Sequence, residues 1–452
     1  MDSETTTQLP ATSDRVPRMG LRQRILRGPF SRDVALLTGG TALGQLLVII
    51  VTPLLTRLYT PADLGLFGLF SSFVGAASVA VCWRLDLGIA TARTRGEAAG
   101  LVLLCFAVCP ATSIALAAVL AGLIHAKVLS FQLLPLWTVP AALLALVATG
   151  VFGALRYWHV GQRNFRIVSG ALVTQGAGRA GTSVACGFIG GWVGLMIGDL
   201  VGRVLGVRRL WRPAAASVRA EIAAGGLHRL RERLRGAWRY PAIVLPSSVL
   251  DALAAALPLP LIATLFGPSS AGQFALAWRI ATVPSGLLSA SIADVFHAHL
   301  VAARDGTRAE LRPLVVRTLR HLALIATGIY LPLCLLAPAA FGWAFGPQWH
   351  PSGVLTLLLL PLWWASIVVS PVSRLVLVIG RPALKLLFDL CFLILPVVAL
   401  VAFREQGLYR AVLAYGLAAA FSHAVFAVLL LRVAATGSHP VPGGPAAAGG
   451  GD

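Results

Sequence analysis

The sequence predicts an all-α polytopic membrane protein of about twelve transmembrane helices, arranged as two six-helix lobes around a central cavity with both termini cytoplasmic. Three observations predict it. Of the 452 residues, 57% are hydrophobic and only 12% are charged, about half the charged share of a soluble domain. The apolar runs are long enough to cross about 30 Å of hydrocarbon as helices of roughly 20 residues, and they lack the short alternating strands of a barrel. A basic stretch at 211–240, ending in "RLRERLRGAWRY", divides these runs into six and six.

The chain opens on a polar, Arg-rich leader, 1–33, with no short apolar segment and small-residue cleavage site before the first long run. No cleavable signal is expected, so the first helix remains as an anchor. Spans are expected at 34–55, 64–83, 98–123, 134–155, 168–189 and 192–210 in the N-terminal lobe, 34–210. After the linker 211–240, the C-terminal lobe, 241–432, holds 241–266, 271–300, 314–336, 353–379, 383–403 and 409–432. The tail 433–452, rich in Gly, Pro and Ala, has nothing to bury and is expected to be disordered.

Charge sets the orientation. Of the 37 lysines and arginines, 30 fall on the side that carries both termini, four (Arg57, Lys127, Arg404 and Arg410) fall on the other, and three lie inside helices. Such a bias places the termini in the cytoplasm. The net charge of +20 therefore belongs to topology, and nucleic acid is excluded as a partner because no basic patch interleaves with aromatics.

The link between the first two helices, within "TPLLTRLYTPADLGLFGLF" (52–70), is then an external corner with Pro61 at its turn. Tyr59, Thr60, Pro61, Leu64, Gly65, Phe67 and Leu69 align with Phe266, Gly267, Pro268, Ala271, Gly272, Phe274 and Leu276 at a constant offset of 207 residues. The two corners open equivalent places in the two halves, which points to a duplication with an axis along the membrane normal and a cavity between the lobes. Pro and Gly also mark tight turns of any origin.

The six cysteines all sit in or at the ends of apolar runs and read as packing, with no CxxC pair or His pair for zinc. His297 and His299 fall on different helix faces, and no metal or other cofactor is expected. Gly190, Gly194, Gly198, Gly202 and Gly206 recur every four residues, a spacing for close helix approach. The letters "GAGRAG" at 176–181 lie inside an apolar span with no strand before them, so they are no dinucleotide site. Nucleophile elbow, Walker loop and HExxH are all absent, and the external loops are short, so an enzyme is not expected.

Ionisable groups in a helix centre cost roughly 2.5–3.5 kcal/mol on insertion scales and usually face a bundle interior or a wet cavity. Arg179, Arg279 and Arg374 have no acid three or four residues away along the chain. Guanidinium suits phosphate oxygens bidentately and keeps its charge when desolvated, so the three point to a phosphate or pyrophosphate group; pairing across helices with Asp251 or Asp389 is the alternative. Asp199 and Arg203, at i and i+4, are expected to pair. Arg84, in "RLDLG", and Arg57, at the corner, are further candidates, each with a plain interfacial reading.

The order "LTGGTALGQLLVIIVTPLLTRLYTPADLGLFGLF", "WRLDLGIATA", "NFRI", "GLMIGDLVGR" and "AGQFALAWRIATVPSGLLSASIADVF" resembles the bacterial polysaccharide-biosynthesis flippases of the multidrug/oligosaccharidyl-lipid/polysaccharide exporter superfamily. The resemblance implies export of an undecaprenyl-pyrophosphate-linked oligosaccharide across the bacterial cytoplasmic (inner) membrane by alternating access. It implies that glycan and membrane lipid as partners, together with other polysaccharide assembly proteins. It makes Arg279, which matches the family's A-x-R after the second corner, the first candidate for the pyrophosphate, with Arg179, Arg374, Arg84 and Arg57 behind it. Coupling to an ion gradient would fall to Asp251 and Asp389. A multidrug antiporter of the same superfamily, and a non-transporting scaffold of a glycan-assembly complex, are the alternatives.

Overall fold

Among the described residues the regular structure is helical throughout. The structure, a computed structural model, describes residues 39, 49–188, 190–225, 228, 230–304, 311–374, 376 and 382–436; over 286–304 and at 311, 314, 374, 382, 383 and 436 it describes the backbone alone. The leader, most of the first expected span and the tail beyond 436 lie outside these residues.

In chain order the first half holds α1 (Ile49–Leu58), α2 (Pro61–Ser78), α3 (Asp86–Thr91), α4 (Arg95–His125), α5 (Thr138–Gly161), α6 (Phe165–Cys186) and α7 (Val193–Ala223). Next come α8 (Leu230–Gly236), α9 (Leu245–Ala256), α10 (Pro258–Arg304), α11 (Leu311–Phe345), α12 (His350–Val369), α13 (Pro382–Ala402) and α14 (Leu408–Thr436). Among the described residues seven stretches are long and apolar enough to cross a membrane, which makes this a multi-pass membrane protein. One of them, Tyr240–Ser285, covers two expected spans, because α10 breaks at Gly267, whose φ of 86° no β-carbon residue adopts easily. The helices α6 and α7 lie where spans are expected but are not among the seven. They carry Arg179, Asp199 and Arg203.

Local chemistry sets the boundaries. Thr60 and Asp63 form a reciprocal capping box at the start of α2, with the Asp63 amide donating to Thr60 Oγ1 at 3.2 Å and the Thr60 amide donating to Asp63 Oδ2 at 3.0 Å, while Pro61 opens the first turn. Thr94 caps α4 through the Glu97 amide. The second expected span breaks between α2 and α3, where Trp83 and Arg84 are both left-handed at φ 53° and 60°. The helix expected to end near 210 instead continues through Pro213 to Ala223, carried by "PAAASVRAEIA", whose alanines are the strongest helix formers. The first part of the expected linker is therefore helix. Its later part is tied back to the first half: Arg233 of α8 pairs with Glu221 of α7 and lies over Gly100 of α4.

The packing of α7 on α6 is the most extensive helix contact, and the glycine stripe makes it. A β-carbon at Gly198 would stand 2.9 Å from the Arg179 carbonyl oxygen, and one at Gly202 would stand 2.6 Å from that of Gln175. The next most extensive contact, α2 on α10, brings the two corner motifs together. Their packing is reciprocal: a β-carbon at Gly65 would strike the Pro268 carbonyl, and one at Gly272 would strike the Pro61 carbonyl. Only glycine at both places lets these backbones touch. Cys82, Cys105 and Cys109 are buried between α4 and its neighbours, as expected of packing residues, whereas Cys334 and Cys391 are exposed.

Candidate functional site

The two corners close one end of the bundle. The Thr60 amide is occupied by Asp63, so the Thr56 carbonyl at the end of α1 is left without its helical donor and accepts instead from Trp349 Nε1 at 2.9 Å and Gln348 Nε2 at 3.0 Å. Gln273, beside Gly272, donates to the Gln348 carbonyl at 2.7 Å and accepts from Ser352 Oγ at 2.5 Å. Tyr59 crosses to the Ser183 carbonyl on α6 at 2.6 Å. The Thr56 carbonyl, a backbone group left over at a helix end, thus becomes the acceptor that joins the two halves.

Beneath this closure lies a cavity of about 40 Å³ lined by α1, α2, α6, α7 and α10. Two arginines enter it, Arg179 from α6 and Arg279 from α10. Arg179 is held on two sides, by Asp199 at 3.4 Å and by the face of Phe67 at 5.5 Å from the ring centroid. Asp199, almost fully buried, also takes Arg203 Nε at 2.7 Å, and Arg203 reaches Thr149 Oγ1. The i, i+4 pair is as the spacing predicts. The partner of Arg179 is Asp199, not Asp251 or Asp389. Arg279 makes no ion pair among the described residues, so three guanidinium groups face one carboxylate and two positive charges remain.

The other predicted residues lie elsewhere. Arg84 donates through Nε to Ser248 Oγ of α9 at 2.9 Å, so it bridges the two halves at the strained break in the second span rather than simply reaching for an interface. Arg57 is exposed and unpaired among the described residues. Arg374 closes the short turn Val372–Arg374, and its side chain lies outside what the structure describes, as do those of His297 and His299.

Asp251 and Asp389 do come together, but around a third residue that sequence reasoning missed. Lys385 stands 3.4 Å from Asp251 and in close contact with Asp389, with its ammonium 5.5 Å from the Phe388 ring centroid. The group opens onto a separate cavity of about 250 Å³ that also presents His423, Trp278 and Trp363. Lys385 lies four residues before Asp389, the same spacing that pairs Asp199 with Arg203. Among the described residues no three His, Cys, Asp or Glu side chains could hold a metal.

Known proteins bear on this arrangement at two levels. Among solved structures the chain is similar to the lipid II flippase MurJ in an inward closed conformation, with a TM-score of 0.68, 11% identity, and coverage of 89% of this chain and 87% of that one. It is also similar to a MOP superfamily transporter from Pyrococcus furiosus described as having a binding pocket of reverse polarity (TM-score 0.58, 15% identity, 91% and 96% covered). An inward-facing multidrug resistance transporter of the MATE family is a third (TM-score 0.55, 14% identity, 88% and 93% covered). At these identities the likeness shows the fold. No curated protein matches the chain. At the level of family, residues 54–353, from the first corner through Gln348, Trp349 and Ser352, match the one described as "Polysaccharide biosynthesis protein". The chain belongs to that polysaccharide biosynthesis family.

Proposed function

We propose that this protein is a flippase that moves an undecaprenyl-pyrophosphate-linked oligosaccharide across the bacterial cytoplasmic membrane, by alternating access of a cavity between two six-helix lobes, 34–210 and 241–432. The observation that carries the reading is the convergence of Arg179 and Arg279 from the two halves onto one cavity with surplus positive charge. A guanidinium pair without enough carboxylate is a site for an anion, and its fork geometry fits phosphate oxygens. Family membership and the fold of the flippase neighbours support the same reading.

A cavity of about 40 Å³ holds a few waters at most, so the headgroup must be taken up in a state in which the halves have parted at the end away from the corners. Closure at the corner end, through Gly65, Gly272 and the Thr56 carbonyl, then separates the cavity from the outside until the lobes rock. Asp251 and Asp389 carry the coupling: two carboxylates share one Lys385, leaving one negative charge for an entering proton or cation. A cationic drug would meet the surplus charge of Arg179 and Arg279, which disfavours the antiporter reading.

The test is a leaflet assay in a strain deleted for this gene. With Arg279→Ala supplied at normal membrane level, the lipid-linked repeat unit should stay on the cytoplasmic leaflet and surface glycan should be lost. Normal export by that variant would overturn both the site and the assignment. A scaffold role predicts unchanged glycan as long as the protein is present.

A further inference from the structure

Away from both cavities, the outer faces of α6 and α7 enclose a cleft of about 590 Å³ into which Arg166, Arg208, Arg209 and Arg212 all project. No carboxylate lines it, and none of the four arginines enters an ion pair among the described residues. The cleft is built rather than incidental. Gly170 leaves α6 open at one point, and the Arg209 guanidinium lies there, where a β-carbon would come within 2.6 Å of Nη2. From that seat Arg209 Nη1 donates to Thr174 Oγ1 at 2.9 Å, which fixes the fork. Leu205 gives the same cleft an apolar wall.

Its depth is set by the helix. The α6–α7 turn lies beside the first corner, with Gly191 next to Asp63. From Val193, Arg208 to Arg212 stand about 22–28 Å along the axis, near the far boundary of about 30 Å of hydrocarbon. Four guanidinium groups at that level, half walled by apolar side chains and facing outward from the bundle, meet phosphodiester headgroups. A soluble anion would gain nothing from the apolar wall.

We propose that this cleft binds the phosphodiester headgroup of an anionic phospholipid in the leaflet opposite the corners. The charge suits it, and basic pockets between helices at a membrane surface take such headgroups. The lipid would hold α6 against α7 and so steady the scaffold that carries Arg179 and Asp199. This binding is independent of which substrate is exported.

Native mass spectrometry of the full-length protein in detergent tests it, with phosphatidylglycerol and phosphatidylcholine as probes. Phosphatidylglycerol should be retained in preference to phosphatidylcholine, and Arg208→Gln/Arg209→Gln should weaken retention on the order of tenfold or more. If the double variant does not stay monodisperse, Arg212→Gln alone should still weaken it severalfold. Equal retention of the two lipids, or unchanged retention in these variants, would overturn the site. A thermal shift with inorganic phosphate as large as that with phosphatidylglycerol would make it a soluble-anion site and overturn the lipid assignment.

Discussion

The protein contains two charged clusters between its helices, and they are opposite in sign. The cluster under the corners sets Arg179, Arg203 and Arg279 against Asp199 alone, a surplus of two positive charges. The cluster in the second half sets Asp251 and Asp389 against Lys385, a surplus of one negative charge. In surroundings of low dielectric a surplus charge waits for a counter-ion. The first cluster is suited to an anionic ligand and the second to a cation or proton, so under the proposed function substrate binding and coupling would fall at different places in one chain.

The clusters also differ in how their charges are secured, and this gives the largest expected effects on stability. Lys385→Ala leaves the Asp389 carboxylate, 2% exposed, without a counter-charge; breaking a buried pair this way costs about 3–5 kcal/mol. Lys385→Met with Asp389→Leu should recover most of that loss. Arg279→Ala removes a cation that no acid holds, so the purified protein should unfold at the same temperature as wild type or higher. Thermal unfolding in detergent compares them, and a Lys385 variant as stable as wild type would break the contrast. Between these, Asp199→Asn deprives two arginines of their shared partner and should cost about 2–4 kcal/mol. Added pyrophosphate should then raise the unfolding temperature more in Asp199→Asn than in wild type, and less in Arg279→Ala.

Which parts of this were legible in the sequence follows from the reach of each rule. The helix rule of i and i+4 pairs Asp199 with Arg203 on sequence alone, and the same rule applies to Lys385 and Asp389. No rule along one helix pairs Arg179 with Asp199, because α6 and α7 bring them together through the glycine stripe. The seven-position echo between the corners is visible as an offset of 207 residues. That each glycine of the echo lies on the proline carbonyl of the other copy is a tertiary fact, since it depends on how α2 and α10 cross. Composition and run length establish a membrane bundle, yet α6 and α7, which carry the charges of the site, are the helices those criteria fit least.

Reciprocal packing of the corners makes a smaller and sharper prediction. Gly65→Ala and Gly272→Ala each force the same two backbones apart, at about 1–3 kcal/mol of overpacking. Because both relieve one shared contact, the double variant should lose clearly less than the sum of the two. A cysteine placed at Leu64, which lines the cavity under the corners, should be labelled faster by a membrane-impermeant maleimide in either variant. Additive losses with unchanged labelling would show that the corners do not close on each other.

The least effect is expected at Arg57, although it stands at the end of the first corner's helix. The second corner performs the same packing with no arginine at the corresponding place, and Arg57 is exposed with no ion pair among the described residues. Arg57→Ala should therefore change stability by no more than about 0.5 kcal/mol. Its export, followed by surface glycan in the deletion strain, should stay within about twofold of wild type. Arg279 and Arg57 then become the two ends of one scale, an unpaired cation under the corners and an unpaired, exposed cation at the corner itself. A loss of export at Arg57 comparable to that at Arg279, with stability intact, would mean that the departing anion is held a second time outside the closed corners.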